Sequence, residues 1–357
     1  IDELARDFDL ADVLPLTPVQ QGLLFHSSLA REIGKSSVQG TDVYSVQLDI
    51  TMAGVVDQHR LRDAMHIVVE RYPNLAVRFC ERFGAPVQII SKQPTLAWRY
   101  LDLRDDDVNP EDEVERLCLS ERNAVCDLVA RPTCRATLIR TAGDVHRLVL
   151  TFHHIVIDGW SLPIVLKEIL AAYFGQRLPA ATSYREYIEW LDTQDREEAR
   201  VAWGRLLDGL ENPSIVARSG DIGPRGHASS WLPEETTEAL RELARAEHAT
   251  LNTVLQAAWA QVLMQLTGEP DVVFGTVVSG RPADLRDAES IVGLLINTVP
   301  VRATASPATT IAQLVKQLQQ RSNDTVEHQH LALNEIHHIS GYDKLFDTLF
   351  LYEGYPV

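Results

Sequence analysis

Apolar positions recur with two different periods along the chain. "VYSVQLDITM" (residues 43–52) alternates apolar and polar residues as a half-buried strand does. "NLAVRF" and "PVQII", broken by Gly84 and Pro86, predict a hairpin. "CRATLIRTAGDVHRLVLTF" predicts a second hairpin turning at Ala142-Gly143-Asp144, whose second strand covers Arg147 to Phe152. Helical spacing governs other stretches. Thr17 caps a helix that opens on Pro18, and Gln20 completes a capping box before "QQGLLFHSSL". Asp57 starts a helix with Leu61, Ala64, Met65 and Val68 on one face, and Asn109-Pro110 begins an acidic one. Ser161 and Pro163 open a helix whose apolar face is Leu162, Val165, Leu166, Ile169 and Leu170.

Residues Asn212 to Ser230 are rich in Gly, Pro and Ser and read as a linker. Beyond them come helices from Pro233 and from Asn252 to Leu266, and the strand "DVVFGTVVSG". A further strand, "GLLINTVPVR", and the helix "TIAQLVKQLQQRSNDTV" follow. Both halves mix strands and helices, which makes this an α/β chain. No repeat is visible at the residue level.

Length and composition narrow the class. The chain has 357 residues, enough for two packed lobes. Hydrophobic content of 45% and charged content of 23% are those of a soluble globular protein. No apolar run reaches the roughly 18 residues of a membrane span. The start, "IDELARDFDL", lacks the basic and apolar regions of a signal peptide, and reads as the interior of a larger polypeptide. A net charge of −17 repels phosphate backbones and argues against nucleic acid as a partner. Cys80, Cys118, Cys126 and Cys134 fit neither a zinc site nor a disulfide framework, and are expected as buried thiols in a reducing cytoplasm.

The chemistry concentrates in "HHIVIDG", residues 153–159, between a predicted strand and a predicted helix. Rigid elements on both sides hold side chains there at the edge of a cleft. On extended chain two adjacent imidazoles point in opposite directions, so one faces the cleft and the other the interior. The pattern does not say which. Asp158 either caps the following helix or pairs with a cation, and Gly159 gives a tight turn or a close ligand approach. His328 and His330, and His337 and His338, lack a third ligand at useful spacing, so no metal site is expected.

The chain resembles the condensation domains of nonribosomal peptide synthetases, relatives of chloramphenicol acetyltransferase. "HHIVIDG" is similar to the family signature. "LTPVQQGLLFH" (16–26), "RYPNLAVRF" (71–79), "YREYIEWL" (184–191), "GTVVSGRP" (275–282), "VGLLINTVPVR" (292–302), "EHQHLALNEI" (327–336) and "LFDTLFLYEGYP" (345–356) resemble its other motifs, in family order. The resemblance implies two chloramphenicol-acetyltransferase-like lobes, each a mixed sheet with helices, in a V-shaped pseudo-dimer with a tunnel between them. The boundaries expected are residues 1–175 for the first lobe, 176–230 for crossover and linker, and 231–357 for a second lobe lacking its end. The implied reaction is amide-bond formation, an acyl transfer of antibiotic or siderophore biosynthesis. An upstream donor carrier presents an acyl or peptidyl thioester on phosphopantetheine, and a downstream acceptor carrier presents an aminoacyl amine. An adenylation domain is the implied neighbour, and the domain itself binds no cofactor.

By the same resemblance His154 is the catalytic position, contacting the attacking amine. His153, Asp158 and Gly159 support the motif, with Gly159 also offering a backbone N–H to the thioester oxygen. Asp158 is implied to point away from substrate and pair with an arginine, for which Arg281 is the candidate. Trp160, Ser161, His26 and Asn297 are candidates for the tunnel wall. Two other readings share the fold. An epimerization domain carries the same signature but continues with Ser-Trp-Arg, where this chain has "WSLPIVL". A non-catalytic recruitment module typically has a damaged signature, and this one is intact.

Overall fold

A computed structural model of the chain describes residues 9–34, 43–82, 84–104, 109–129, 131–217 and 226–354, and of residues 30–34 the backbone alone. Parts of three sequence readings lie outside the described residues: the start at 1–8, the linker at 218–225, and the last motif at 355–357. The chain divides into two compact units, Ile1–Thr193 with Arg281–Leu295, and Gln194–Gly280 with Ile296–Val357.

The first unit carries two sheets. Its strands are β1 (Leu10–Pro15), β2 (Ser45–Ala53), β3 (Arg78–Cys80), β4 (Val87–Ser91), β5 (Ala97–Asp102), β6 (Cys134–Arg140) and β7 (Val145–His153). Its helices are α1 (Pro18–Gly34), α2 (Gln58–Arg71), α3 (Pro110–Val125), α4 (Ser161–Tyr173) and α5 (Tyr184–Asp192). One sheet has the order β1-β4-β3 and the other β2-β7-β6-β5, with only β5 and β6 parallel in the latter. Both predicted hairpins are present, as β3–β4 and β6–β7.

Side-chain alternation on the larger sheet builds two cores. Leu148, Leu150 and Phe152 of β7 pack with Leu61, Met65 and Val68 of α2 and Val165 and Ile169 of α4. Val149 and Ile139 point the other way, against Val114, Leu117 and Cys118 of α3. Caps start the helices where the sequence places them: Asp57 accepts from His59 and Arg60 N–H, and Asn109 accepts from Glu111 N–H.

The second unit holds α6 (Arg196–Leu207), α7 (Glu234–Ala246), α8 (Leu251–Thr267), β8 (Asp271–Val278), β9 (Asn297–Thr304), α9 (Ile311–Thr325), α10 (Leu333–Ser340) and β10 (Leu349–Phe350). Its sheet has the order β10-β8-β9, with β8 and β9 antiparallel and β10 parallel to β8. Val272 and Phe274 face Val254, Ala257, Leu314 and Leu318, while Val273 faces Trp203, Leu331 and Ile336. β9 pairs only with β8 among the described residues, and α9 covers its other edge. Arg321 donates to Arg302 O at 2.7 Å and Gln317 accepts from Thr304 N–H at 3.0 Å. That treatment of an edge strand blocks further pairing.

Several sequence readings change. Residues 74–76 of "NLAVRF" lie in a 3₁₀ turn, Pro73–Ala76, because Pro73 has no N–H to give a ladder. "GLLINTVPVR" becomes strand only from Asn297, since Gly293 to Leu295 are bonded to side chains of the first unit instead. Leu170 on α4 is 55% exposed, while Glu168, which the apolar face left out, is buried and bonded to Arg71 and Tyr72. Cys126 is half-buried, unlike Cys80, Cys118 and Cys134. The division into units falls at Thr193/Gln194, and Arg281–Leu295, expected in the second lobe, clusters with the first. Among the described residues no helix is long and apolar enough to cross a membrane.

Candidate active site

Strand β7 ends at His153, whose ladder partner on β2 is Ser45. The backbone N–H of His153 donates to Thr133 O at 2.9 Å, and that of His154 to Tyr44 O at 2.7 Å. A 3₁₀ turn, His154–Val156, then bends the chain toward α4. The bend separates the two rings: His153 is 0% exposed and His154 is half-exposed.

His153 is locked by both ring nitrogens. Its Nδ1 accepts from Ile155 N–H at 3.1 Å. In the neutral ring the proton therefore sits on Nε2, which donates to Ser27 Oγ at 3.2 Å. His154 is different: its Nδ1 is buried without a hydrogen-bond partner, and its ring makes no polar contact among the described residues. One imidazole is used up by the fold and the other is held by its backbone with its ring uncommitted.

Gln20 clamps the turn from α1. The capping box forms, with Thr17 N–H donating to Gln20 Oε1 at 3.0 Å and Gln20 N–H to Thr17 Oγ at 3.3 Å. The Gln20 amide also donates to Ile155 O at 2.9 Å and pairs with Gln88 in both directions. Neither Gln20's reach to the turn nor the role of Ser27 stands out in the sequence. The available signal is a buried polar residue inside an apolar helix face.

Asp158 is 2% exposed and accepts five hydrogen bonds. Oδ1 takes Ser161 N–H and Oγ–H, each at 2.8 Å, and Arg281 Nη2 at 3.1 Å. Oδ2 takes Arg281 Nη1 at 3.0 Å and Leu295 N–H at 3.0 Å. Asp158 thus caps the first turn of α4 and also pairs with a cation, which is Arg281, the candidate partner. A carboxylate so bonded is compensated for its burial.

This network pins residues 281–295 onto the first unit. Asn74 donates to Val292 O at 2.8 Å, Tyr184 to Leu294 O at 2.9 Å and Tyr187 to Leu295 O at 3.1 Å. Burial pushes both phenols up, so they remain protonated donors. A side chain at Gly293 would overlap the Tyr184 ring, which explains glycine there.

The other candidates fall as follows. Ser161 is fully buried and bonded to Asp158 and to both backbone groups of Gly293, so it lines no open wall. Trp160 is half-buried, donates to Glu289 O at 2.9 Å and lies under the Arg281 guanidinium at 5.5 Å. Gly159 sits exposed in a turn without positive φ, so the turn itself does not require glycine. His26 is exposed on α1, its ring 6.3 Å from that of Tyr44. Asn297, in the second unit, is buried and donates to Gln329 O at 2.7 Å and Leu331 O at 2.9 Å, a structural position at the start of β9. Among the described residues no three His, Cys, Asp or Glu side chains are grouped to hold a metal ion.

Compared with known families, residues 10–357 match the model of the condensation domain. The chain belongs to that family. This condensation domain is 34% identical over 97% of its length to a polypeptide of the linear gramicidin synthase of Brevibacillus parabrevis. It is 33% identical over 98% of its length to a polypeptide of the mycosubtilin synthase of Bacillus subtilis. It spans only 7% and 14% of those two polypeptides. Among solved structures, the starter condensation domain of rhizomide synthetase superposes with a TM-score of 0.74 over 96% of this domain and 78% of that chain, at 20% identity. The first condensation domain of the calcium-dependent antibiotic synthetase gives 0.69 over 96% and 81%, at 23% identity. The shared fold is α/β, with a mixed sheet and helices in each unit.

Proposed function

We propose that this condensation domain forms an amide bond between two carrier-bound substrates. The α-amine of an aminoacyl group on a downstream carrier attacks the acyl or peptidyl thioester on an upstream carrier. Both are held on phosphopantetheine arms that the carriers bring, and an adenylation domain is the expected neighbour. The C–N bond forms as the C–S bond breaks, the thiolate leaves, and the amine loses one proton.

The observation that supports this reading is the contrast within the histidine pair. His153 is consumed by the fold, whereas His154 keeps an uncommitted, half-exposed ring on a turn anchored by Tyr44 and Gln20. An attacking amine has a pKa near 8, so about a tenth is neutral at pH 7, a cost of about 1.4 kcal/mol. The harder requirement is to hold that amine in line and take its proton as the bond forms. A positioned imidazole typically contributes about 10²–10⁴-fold to such a step. Asp158 and Arg281 act at one remove, fixing the loop that carries His154.

The test is dipeptide formation with both carriers loaded, read by intact-protein mass spectrometry. His154→Ala is expected to lower the rate about 10²–10⁴-fold with unchanged folding. Undiminished product would overturn the reading. Deuterium exchange at the donor α-carbon without any acceptor would replace it with epimerization.

A further inference from the structure

The second unit contains a small cavity that the proposed chemistry does not use. It holds about 100 Å³ and is bordered by Asn252 and Gln256 of α8, Thr276 of β8, Arg302 of β9, and Arg321 and Ser322 of α9. Two guanidinium groups and no carboxylate line it, in a chain whose net charge is −17. The two arginines are not equivalent. Arg302 is paired with Asp271 at 2.7 Å and donates to Leu206 O and Asp208 O. Arg321 has no carboxylate partner among the described residues. Its Nη1 gives both protons to neutral acceptors, Arg302 O and Gln317 Oε1, and its Nη2 gives one to Thr304 Oγ.

That leaves Nε–H and one Nη2–H of Arg321 without an acceptor among the described residues. A guanidinium edge made of Nε–H and Nη2–H matches an oxyanion with two oxygens. Asn252, which lines the same cavity, has a buried side-chain oxygen with no hydrogen-bond partner. Arg321 is partly buried beside a mixed polar and apolar cavity whose lining holds no carboxylate, with Asp271 acting on it only through Arg302, and an anion there would offset the cost of that burial. Burial first and the neighbouring Arg302 second depress the Arg321 pKa, against the opposite pull of Asp271.

The geometry points to a binding site for one small oxyanionic group, a phosphate or a carboxylate, held on Arg321, with the Asn252 oxygen available only to a hydroxyl of the anion. The volume is that of about three water molecules. It admits inorganic phosphate or acetate and excludes anything with a bulky substituent buried alongside the charge. Phosphate as its hydrogen phosphate carries a hydroxyl as well, which the Asn252 oxygen can accept.

The test is the thermal unfolding midpoint of the full chain against inorganic phosphate, acetate and chloride at matched ionic strength. Phosphate and acetate are expected to raise the midpoint saturably by about 2–5 °C, and chloride not. Phosphate exceeding acetate would place the hydroxyl on Asn252, and equal effects would place the carboxylate-like edge alone in the site; both support it. Arg321→Met is expected to abolish the saturable increment. Because Arg321 also covers the β9 edge, Asn252→Asp provides an arm that leaves those bonds in place. The aspartate supplies the missing negative charge, so this variant is expected to melt higher without ligand and to lose the phosphate response. A linear, unsaturable response equal in all three proteins would overturn the site, as would an unchanged saturable response in Asn252→Asp.

Discussion

At the scale of single residues, the motif divides labour between two neighbouring imidazoles. His153 is fixed in one tautomer by Ile155 N–H on one side and Ser27 on the other. Nitrogen-15 spectra of the imidazole groups are expected to show His153 protonated on Nε2 alone. Ser27→Ala removes one hydrogen bond of that buried ring, and is expected to cost about 0.5–1.5 kcal/mol in denaturant unfolding. The sequence says that adjacent side chains on a strand diverge, but not which one turns inward. That choice comes from Ser27, 126 residues away, and from a 3₁₀ turn that periodicity does not reveal. Asp158 is more legible, because a carboxylate three residues before a helix-starting serine has a local partner that can be read directly.

At the scale of elements, the caps and hairpins are local and readable, whereas the contacts that aim them are not. The capping box at Thr17 and Gln20 follows from spacing alone. The further bond from Gln20 to Ile155 O depends on how α1 lies against the turn. Thr17→Ala is expected to cost about 1 kcal/mol, the usual value of a cap. Gln20→Ala orphans Ile155 O and Gln88 Oε1 as well, while the Gln88 amide N–H keeps Pro15 O, and is expected to cost about 2–4 kcal/mol. Calorimetry on the two variants separates cap from clamp, and equal losses would show that the clamp contributes nothing. Glu168 illustrates the limit of a hydrophobic pattern. It occupies an inward position of α4 with 6% exposure because Arg71 and Tyr72 meet it there, 97 and 96 residues away in sequence. The Tyr72 hydroxyl is pushed up to about 12 by burial and by that carboxylate, so it stays a donor throughout the physiological range.

At the scale of the whole molecule, two effects sum over distant positions. His146, His330 and His337 are each shifted downward from the usual histidine value, with burial the first cause. A depressed value means that the unfolded chain takes up protons first as pH falls below about 6.5. Stability from these groups is therefore complete above that value and is lost progressively below it. The urea midpoint is expected to fall between pH 7.5 and 5.5, and less steeply when all three are replaced by Gln. Arg281 and Asp158 provide the second effect. Removing either partner of this buried pair is expected to cost about 3–5 kcal/mol, and removing both less than the sum. Limited proteolysis of Arg281→Met is expected to cut within residues 281–295, which are otherwise protected. The motif order in the sequence is sufficient for the family. The return of residues 281–295 to the first unit is not legible, since its bonds come from Asn74, Asp158, Tyr184 and Tyr187, each distant along the chain.

That long-range stitch has a consequence during biosynthesis. Asp158 emerges from the ribosome 123 residues ahead of Arg281. At translation rates of about 5–20 residues per second, the carboxylate waits roughly 6–25 s for its guanidinium. Until then the acid at the heart of the signature loop has only its local donors from Ser161. Its final locking is postponed until β8 and the turn beyond it have been made.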